Sequence, residues 1–543
     1  MRSHADLKKL KAGIVSFRHD ALSGIAHLET RRSLAERNPM NTFQRRTWLL
    51  VRVSVALGVS VASCTRSSDV GPAAAIQVSQ LPQLPLDSQV VAAGQQTFRY
   101  DTFGDETFWT DGLKMHTVIE SAVDPLTAAS VGLKIDAAAL PAEVVKGVTD
   151  GTIPLNDPQT TLALLSLNAV VGVKGQVSKG ADGKLHLNRV GITCALCHST
   201  VSKDVKVTAP GAGGRTINLA GIVGLRLDGW PNRDLQPGTI ISLSPSLTPG
   251  QKAEYESWAK LHGPGFYDPR INVNTDPGSN PAVAADIDAN IRAYKAAGGI
   301  PVVIPPAYGL VGLSKSIFTG DGDTAHEPAG PTSYWNRYVG VVQMHGHGTF
   351  TDERLIINGK PLKVDHRVKD DLITAILPQL EAYQWSIAAP ALRVDGTKWG
   401  VASDLNTEAV SRGKAVFEGQ ANCSSCHSGL SYTDVNAFGL HPASASVALD
   451  KNYIKFSATK QWRVTPLKGI WQHPPYFHDG SGAFNPTTST CKDGSDIGSL
   501  ARAADRVRQD LACVVNRYND SKVLKLGLTD AQRADLVEYL KSL

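Results

Sequence analysis

The residues of this 543-residue chain best suited to chemistry are two copies of the motif C-x-x-C-H: Cys194, Cys197 and His198, then Cys423, Cys426 and His427. Two thiols three residues apart can add to the two vinyl groups of one porphyrin, while the next histidine reaches its iron. A zinc site needs a second Cys or His pair at a matching spacing, and the sequence offers none. We therefore predict two covalently bound haem c groups with His198 and His427 as iron ligands.

The second motif is expected to lie between two helices. The residues before it that share one helical face are Ala409, Gly413, Val416 and Phe417. The chain ends in another helix, with a capping-box spacing at Thr529 and Gln532 and a buried stripe of Leu536, Val537 and Leu540. Because a residue without a side chain lets backbones approach closely, Gly413 and Phe417 are predicted to cross this helix at Tyr539, as in cytochromes c.

Two further segments carry a family resemblance. "RVTPLKGIWQHPPYFHDGS", residues 463–481, and "LGLTDAQRADLVEYLKSL", residues 526–543, resemble the bacterial dihaem cytochrome c peroxidase superfamily. That superfamily includes the enzyme that matures the cofactor of methylamine dehydrogenase and rubber-oxygenase-like dihaem cytochromes c. The resemblance is strong over about 406–543 and depends mainly on "CALCH" before that. It implies a reactive first haem and a second haem that stores or relays an electron.

The resemblance also places the sixth ligand of the second haem in a short helix, here "LACVVNRYND". Tyr518 is the first candidate in that helix, and a packed aromatic residue is the alternative reading. His441 is the other candidate ligand. His478, in "YFHDGS", is expected to hold its loop and to bond a haem propionate rather than to bind iron.

For the first haem, His116 beside Met115 is the best single candidate ligand, with a structural histidine as the alternative. Met344 and His345 form a second Met-His pair downstream. A Met or His ligand would close the site for electron transfer, whereas an exchangeable position permits oxygen or peroxide chemistry. In that second case the acid or base would come from a residue such as His345, His347, Glu353 or Glu120.

Several other residues could support the haems. Arg226 and Arg233 are candidates for pairing with propionates. Asp321 and Asp323 offer oxygen ligands for Ca²⁺, which the family carries between its haems, although a solvated loop is the alternative. The resemblance also implies a tryptophan between the haems, for which the candidates are Trp230 and Trp335.

Composition and pattern predict a mainly α fold with two cytochrome c-like haem domains, the first enlarged by long loops. With 42% hydrophobic residues the chain can build two or three cores. The predicted divisions are a Pro- and Ser-rich linker over 64–90, an N-terminal haem domain over 91–390 and a C-terminal cytochrome c domain over 400–543. A helix is predicted to begin at Asp370 or Asp371 and to be interrupted or kinked by Pro378.

The N-terminal region resembles an export signal. Residues 1–39 are expected to be an untranslated extension before Met40, and residues 40–63 a signal peptide. "VASC" resembles a bacterial lipobox, so Cys64 is expected to carry lipid and to anchor the protein in the periplasm or outer cell envelope. Residues 1–63 hold 11 Lys and Arg against 4 Asp and Glu, which leaves a net charge of −2 beyond them. That near-neutral body argues against nucleic acid as a partner.

Export also bears on the remaining cysteines, Cys491 and Cys513, because disulfides persist in oxidising compartments. We predict a disulfide between them, with two free thiols as the alternative.

These features together predict an exported dihaem electron-transfer protein, with peroxide reduction or oxygen activation at the first haem. The expected partners are a small redox protein or quinol-linked electron donor and a small-molecule oxidant. The competing hypothesis is a plain electron carrier in which both irons have six ligands and there is no catalytic site.

Overall fold

The structure is a computed structural model that describes residues 86–262, 264–267, 302–357, 360–365, 370–391, 405–450, 453–486, 488–491, 506–521 and 524–543. The upstream extension, the signal peptide and Cys64 lie outside these residues. Within them, no helix has the length and apolar character needed to cross a membrane.

Helices are the main elements of the described residues. The α-helices are α1 (Ser88–Tyr100), α2 (Met115–Ala122), α3 (Pro125–Ser130), α4 (Ala142–Thr149), α5 (Pro158–Ser166), α6 (Ala195–His198), α7 (Pro237–Ser242), α8 (Pro249–His262), α9 (Pro331–Tyr338), α10 (Leu377–Ser386), α11 (Thr407–Glu418), α12 (Arg506–Asn519) and α13 (Asp530–Lys541). Two π-helical segments are Thr107–Gly112 and Val339–Gln343.

The strands pair only two at a time. They are β1 (Ile135–Asp136), β2 (Val173–Lys179), β3 (Leu185–Ile192), β4 (Ser199–Val201), β5 (Thr208–Pro210), β6 (Thr216–Asn218), β7 (Val223–Gly224), β8 (Arg226–Asp228), β9 (Phe266–Tyr267), β10 (Val302–Val303), β11 (Thr349–Ile357), β12 (Lys360–Asp365), β13 (His441–Pro442), β14 (Gln461–Trp462), β15 (Phe484–Asn485) and β16 (Thr490–Cys491). β1 pairs with β7 in parallel, whereas pairs such as β2–β3 and β4–β8 are antiparallel. The prediction of a mainly helical chain is confirmed.

The predicted crossing of α11 and α13 is present. A Cβ on Gly413 would collide with the carbonyl oxygen of Asp535 and would lie 2.9 Å from the Cβ of Tyr539. The rings of Phe417 and Tyr539 meet edge to face at 5.2 Å. The capping box at the start of α13 is also confirmed. Thus the two helices that flank the second motif lock together through one glycine.

The same arrangement occurs in the N-terminal half, where the sequence did not predict it. A Cβ on Gly94 of α1 would collide with the carbonyl oxygen of Gln379 on α10. The rings of Phe98 and Tyr383 meet edge to face at 5.4 Å. Both halves therefore place a glycine, a phenylalanine four residues later and a tyrosine of the facing helix at one crossing.

A loop is repeated as well. Residues 316–322 and 476–482 each close through a bridge between their first and last members. The left-handed backbone positions within them match: Ile317 and Gly320 in the first loop, Phe477 and Gly480 in the second. Such a pattern of positive φ angles is costly outside glycine, so two copies indicate a shared local design.

The two halves exchange matching contacts through these loops. The N–H of Val303 donates to the carbonyl of His478 at 2.9 Å, and the N–H of Arg463 donates to the carbonyl of Phe318 at 2.9 Å. The rings of Phe318 and His478 lie 6.1 Å apart. Each half therefore donates one backbone N–H to the loop of the other half and accepts one at its own loop, so the contact between the halves has approximate two-fold symmetry.

Two other sequence predictions have clear outcomes. Cys491 and Cys513 form the predicted disulfide. Pro378 does not kink a helix, because α10 begins only at Leu377 and the proline occupies its first turn. A proline is tolerated there, since its missing N–H would have no partner within the helix. Asp371 instead caps the preceding turn by accepting from the N–H groups of Ile373 and Thr374.

We expect Gly413→Ala to lower the free energy of unfolding of the C-terminal half by about 1–3 kcal/mol, because the new methyl group meets backbone rather than a movable side chain. Urea unfolding followed by circular dichroism measures the change. Lys414→Ala is the control, since that side chain is 57% exposed on the same helix. Equal effects of the two substitutions would contradict the close crossing.

Candidate haem sites

The first motif lies directly after strand β3 and forms the short helix α6. Cys194 and His198 are buried, and the thiols of Cys194 and Cys197 are not in a disulfide. Burial raises the pKa of both thiols to about 12. Both cysteines are thus free thiols whose protonated form is favoured by burial.

His198 is oriented as a metal-binding histidine would be. Its Nδ1 lies 3.0 Å from the carbonyl oxygen of Pro305. A carbonyl only accepts, so Nδ1 carries the proton and Nε2 keeps its lone pair for a metal. Burial lowers the pKa of His198 to about 4, which keeps the ring neutral.

A cavity that is partly open to solvent adjoins His198 and Cys197. The aromatic residues of its wall are Tyr267, Phe318, Tyr334, Trp335, Tyr338 and Tyr453. The charged residues of its wall are Lys315, Asp321 and Arg463. Trp335 meets the ring of His198 edge to face at 4.9 Å. A mainly apolar cleft with an aromatic wall and a few polar groups suits a flat organic cofactor.

Hydrogen bonds hold two tyrosines of this wall, Tyr334 and Tyr267, in place. The hydroxyl of Tyr334 donates to Asp352 at 2.7 Å, and Arg354 pairs with that same carboxylate. Burial and the neighbouring Asp352 charge raise the pKa of Tyr334. The hydroxyl of Tyr267 donates to the carbonyl of Gln343 at 3.1 Å. These bonds fix the aromatic rings and keep Tyr334 neutral.

The predicted ligand His116 lies elsewhere. It is half-buried on α2, while Met115 packs in an apolar cluster with Phe108 and Leu113. Burial and the charge of Lys114 lower the pKa of His116. Neither His116 nor Met115 is among the residues that line the cavity beside His198. The structure therefore gives no support to His116 as a ligand.

The downstream candidates do not line this cavity either. The ring of His345 stacks on Phe108 with centroids 3.7 Å apart, and Nε2 of His347 lies 3.1 Å from the hydroxyl of Thr107. Met344 belongs to an apolar cluster. The side chain of Glu353 lies outside the described residues. Glu120 accepts from the backbone of Leu187 and contacts His186.

The two arginines predicted to pair with propionates have protein contacts, and the charge of Arg233 is near enough to His198 to help lower the pKa of that ring. Arg226 pairs with Asp136 at 3.0 Å, and Arg233 donates to the carbonyl of His473 at 2.9 Å. Arg463, which sequence reasoning missed, lines the cavity instead. The sequence did carry a signal for it, since Arg463 opens the segment that resembles the peroxidase family.

The second motif forms a 3₁₀ turn over Cys423–Ser425, directly after α11. Nδ1 of His427 lies 3.0 Å from the carbonyl oxygen of Tyr432, which again leaves Nε2 with a lone pair. Burial raises the pKa of Cys423 to about 11 and lowers that of His427.

Each motif histidine therefore has its Nδ1 on a backbone carbonyl, that of Pro305 for His198 and that of Tyr432 for His427.

Tyr518 lies on α12 near the second motif. Burial raises its pKa to about 12, and the sulfur atoms of Cys423 and Cys426 are close enough to contribute to that shift. Its ring centroid is 6.1 Å from that of Phe477. Tyr518 thus lies near the cysteines of the second motif, and its role as a ligand stays a prediction.

His441 is engaged by a carboxylate. Its Nε2 lies 2.7 Å from Asp434, which is buried, and Cys426 completes a group whose possible ligand atoms lie within 4.8 Å of one another. His478 is held in the same manner by Asp450 at 3.1 Å and packs on Trp462. Both histidines thus have acidic partners, and His478 holds its loop.

The loop proposed for Ca²⁺ has its carboxylates committed to protein donors. Asp323 pairs with Lys315 at 2.9 Å and with His326 at 2.6 Å. Asp321 is buried, and it accepts from the hydroxyl of Thr319 and from the N–H of Thr459. A carboxylate already bonded to a lysine and a histidine does not favour a divalent cation there.

Aromatic residues join the two halves beside the motifs. Trp230 and Trp471 meet edge to face at 5.6 Å, and the N–H of Trp471 donates to the carbonyl of Pro390. The hydroxyl of Tyr308 lies 3.0 Å from Nδ1 of His473. This junction is buried and connects the segments that lead to both motifs.

The junction is expected to make the protein sensitive to acid. Burial and the nearby charge of Arg233 lower the pKa of His473 to about 3, whereas an unfolded histidine titrates near pH 6.5. Below pH 6.5 the unfolded chain takes up a proton that the folded chain refuses, so stability falls with pH by up to ~1.4 kcal/mol per unit until about pH 3.

His473→Gln should therefore reduce the slope of the free energy of unfolding against pH between pH 6.5 and pH 4. The reduction should be up to ~1.4 kcal/mol per pH unit, the contribution of one proton. Urea unfolding at a series of pH values measures it. His326→Gln, at a more exposed position, is the control. An unchanged slope in His473→Gln would show that this histidine takes up its proton without unfolding.

No family model and no curated protein matches the chain. Among solved structures, it is similar to the hydrazine synthase of Kuenenia stuttgartiensis pressurized with 20 bar xenon, with 16% identity over 45% of this chain and 72% of that one and a TM-score of 0.24. It is also similar to a MauG-like protein associated with microbial copper homeostasis, with 16% identity, coverage of 45% and 75%, and a TM-score of 0.26. Because both scores are low, these likenesses assign no function, and the two sites are defined by their own geometry.

Proposed function

We propose that the protein is an exported dihaem c-type cytochrome that acts as an oxidoreductase, with peroxide reduction or oxygen activation at the His198 site. The observation that carries the proposal is the duplication. Each half combines a C-x-x-C-H motif, a neutral histidine on a backbone carbonyl and a Gly-Phe-Tyr helix crossing. Two cytochrome c-like domains explain all of these features together.

The residues present fit a covalent haem at each motif. Reduced thiols would hold the porphyrin through Cys194 and Cys197 in one half and through Cys423 and Cys426 in the other. Bound haem supplies one-electron transfer, and iron with an exchangeable position also supplies oxygen or peroxide chemistry. His198 and His427 each present a neutral Nε2, because Nδ1 donates to the protein.

The two sites differ in what surrounds them. The His198 cavity is partly open to solvent and has an aromatic wall, which suits the access of a small oxidant. Tyr518 lies near the second motif, where a phenol oxygen on the iron would close the sixth position and suit electron relay rather than substrate binding. The Trp230–Trp471 contact offers a route for electrons between the halves. A small redox protein or a quinol-linked donor would then deliver electrons to the His427 side.

Export is part of the same proposal, because c-type haem attachment and the Cys491–Cys513 disulfide both suit an oxidising compartment. Anchoring through lipid on Cys64 follows from the lipobox-like sequence. Cys64→Ser should move the protein from the membrane fraction to the soluble periplasmic fraction. Retention of this variant on the membrane would argue against the anchor.

The test of function is electron paramagnetic resonance of the oxidised protein during titration with cyanide. We expect one haem signal to convert on cyanide binding and the other to stay unchanged. The converting signal should disappear in Cys194→Ser/Cys197→Ser and persist in Cys423→Ser/Cys426→Ser. Two low-spin signals without any response to cyanide or peroxide would instead establish a plain electron carrier.

A further inference from the structure

Among the described residues that line the His198 cavity, one is an arginine, Arg463. Arg463 lines the cavity, yet it belongs to the C-terminal half. Its Nε donates to the carbonyl of Ile317 at 3.0 Å, and its backbone N–H donates to the carbonyl of Phe318. These two bonds fix the guanidinium against the loop of the N-terminal half.

The remaining part of this guanidinium is short of partners. Nη1 of Arg463 is shielded from solvent and has no hydrogen-bond partner among the described residues. Burial alone lowers the pKa of Arg463 to about 10, without a compensating acidic neighbour. A buried cation is stable only when it is paired, so the site is arranged for an anion that the chain itself does not supply there.

The other charges of the wall do not fill this role. Lys315 is paired with Asp323. The carboxylate of Asp321 accepts from Thr319 and from the backbone of Thr459. Arg463 is thus the cation of this cavity, within the described residues, with donor capacity left for a ligand.

We infer that Arg463 binds a carboxylate inside the His198 cavity, namely a propionate of the haem attached to Cys194 and Cys197. The inference rests on the proposed function, since it requires a haem at that site. A planar guanidinium suits a carboxylate, because its parallel N–H donors match the two oxygens. The C-terminal half therefore supplies an anchor to the cofactor of the N-terminal half.

The test compares Arg463→Gln with Arg463→Lys, with Arg412→Gln as a control at an exposed arginine that pairs with Asp535 outside the cavity. Removing the cation leaves the propionate charge uncompensated and favours ferric iron, so the midpoint potential of the first haem should fall in Arg463→Gln. Arg463→Lys should retain most of the wild-type potential, and the second haem should be unchanged in both. Resonance Raman should show a shift of the propionate bending mode in Arg463→Gln and a smaller shift in Arg463→Lys, which keeps the charge but loses the planar fork.

Mass spectrometry of the same samples tests the proposed function separately from the role of Arg463. Wild-type protein without haem at Cys194 and Cys197 would overturn the proposed function. Two attached haems with an unchanged potential and propionate mode in Arg463→Gln would overturn only the role of Arg463. If acetate shifts the spectrum of the wild type but not of Arg463→Gln, the carboxylate comes from a soluble ligand, and the propionate assignment fails. If Arg463→Gln does not fold, the comparison of Arg463→Lys with wild type decides, because loss of the fork should still shift the propionate mode.

Discussion

Cys194→Ser/Cys197→Ser is expected to lower the haem content from two per chain to one. Serine hydroxyls do not form the thioether bonds by which a C-x-x-C-H motif holds its porphyrin. The pyridine haemochrome spectrum gives the haem content per chain, and the intact mass should fall by one haem.

Cys423→Ser/Cys426→Ser provides the matched comparison, because it should remove the other haem and leave the cyanide-responsive signal in place. Cys491→Ser/Cys513→Ser controls for the loss of cysteine as such, since those residues form the disulfide. It should keep both haems while costing roughly 3 kcal/mol of stability. Wild-type haem content in either motif variant would contradict covalent attachment at that motif.

Tyr518→Phe is expected to change the spin state and the midpoint potential of the second haem while leaving its attachment intact. The substitution removes one buried hydroxyl near Cys423 and Cys426 and keeps the ring that packs near Phe477. If this oxygen binds the iron, its loss opens the sixth position and removes a donor that favours ferric iron. Electron paramagnetic resonance and a redox titration measure both effects.

Tyr432→Phe is the control for this experiment. Its hydroxyl lies 3.3 Å from that of Tyr539 in the same half, so it tests the loss of a nearby phenol that has another partner. Identical second-haem spectra in wild type and Tyr518→Phe would assign Tyr518 to packing alone, which was the alternative reading of the sequence.

The features that could be predicted from the sequence are those marked by characteristic residue types at a recognisable spacing. The capping box at Thr529, the crossing at Gly413 and the Cys491–Cys513 pair each follow from residue types that have few other uses. Pro378 was misjudged because the start of a helix decides whether a proline breaks it.

The wall of the first cavity could not be predicted, because it is assembled from distant segments. Trp335, Tyr453 and Arg463 meet there although 128 residues separate the first from the last. His116 appeared suitable in the sequence because it follows a methionine, but neighbours along the chain do not determine which cavity a side chain lines. The duplicate crossing at Gly94 was missed because it depends on a helix almost 300 residues away.

The exchange of backbone hydrogen bonds between Val303 and His478, and between Arg463 and Phe318, has a consequence for biogenesis. A chain that is made and exported from its N-terminus presents the first motif long before residues 453–463 emerge. Until then the first cavity lacks one part of its wall, which, if haem is attached as proposed, would leave the thiols of the first motif more accessible to the porphyrin. Arrival of the C-terminal half then adds Tyr453, Ser457 and Arg463 to the wall, so under the proposed function the order of synthesis would place haem loading before completion of the wall.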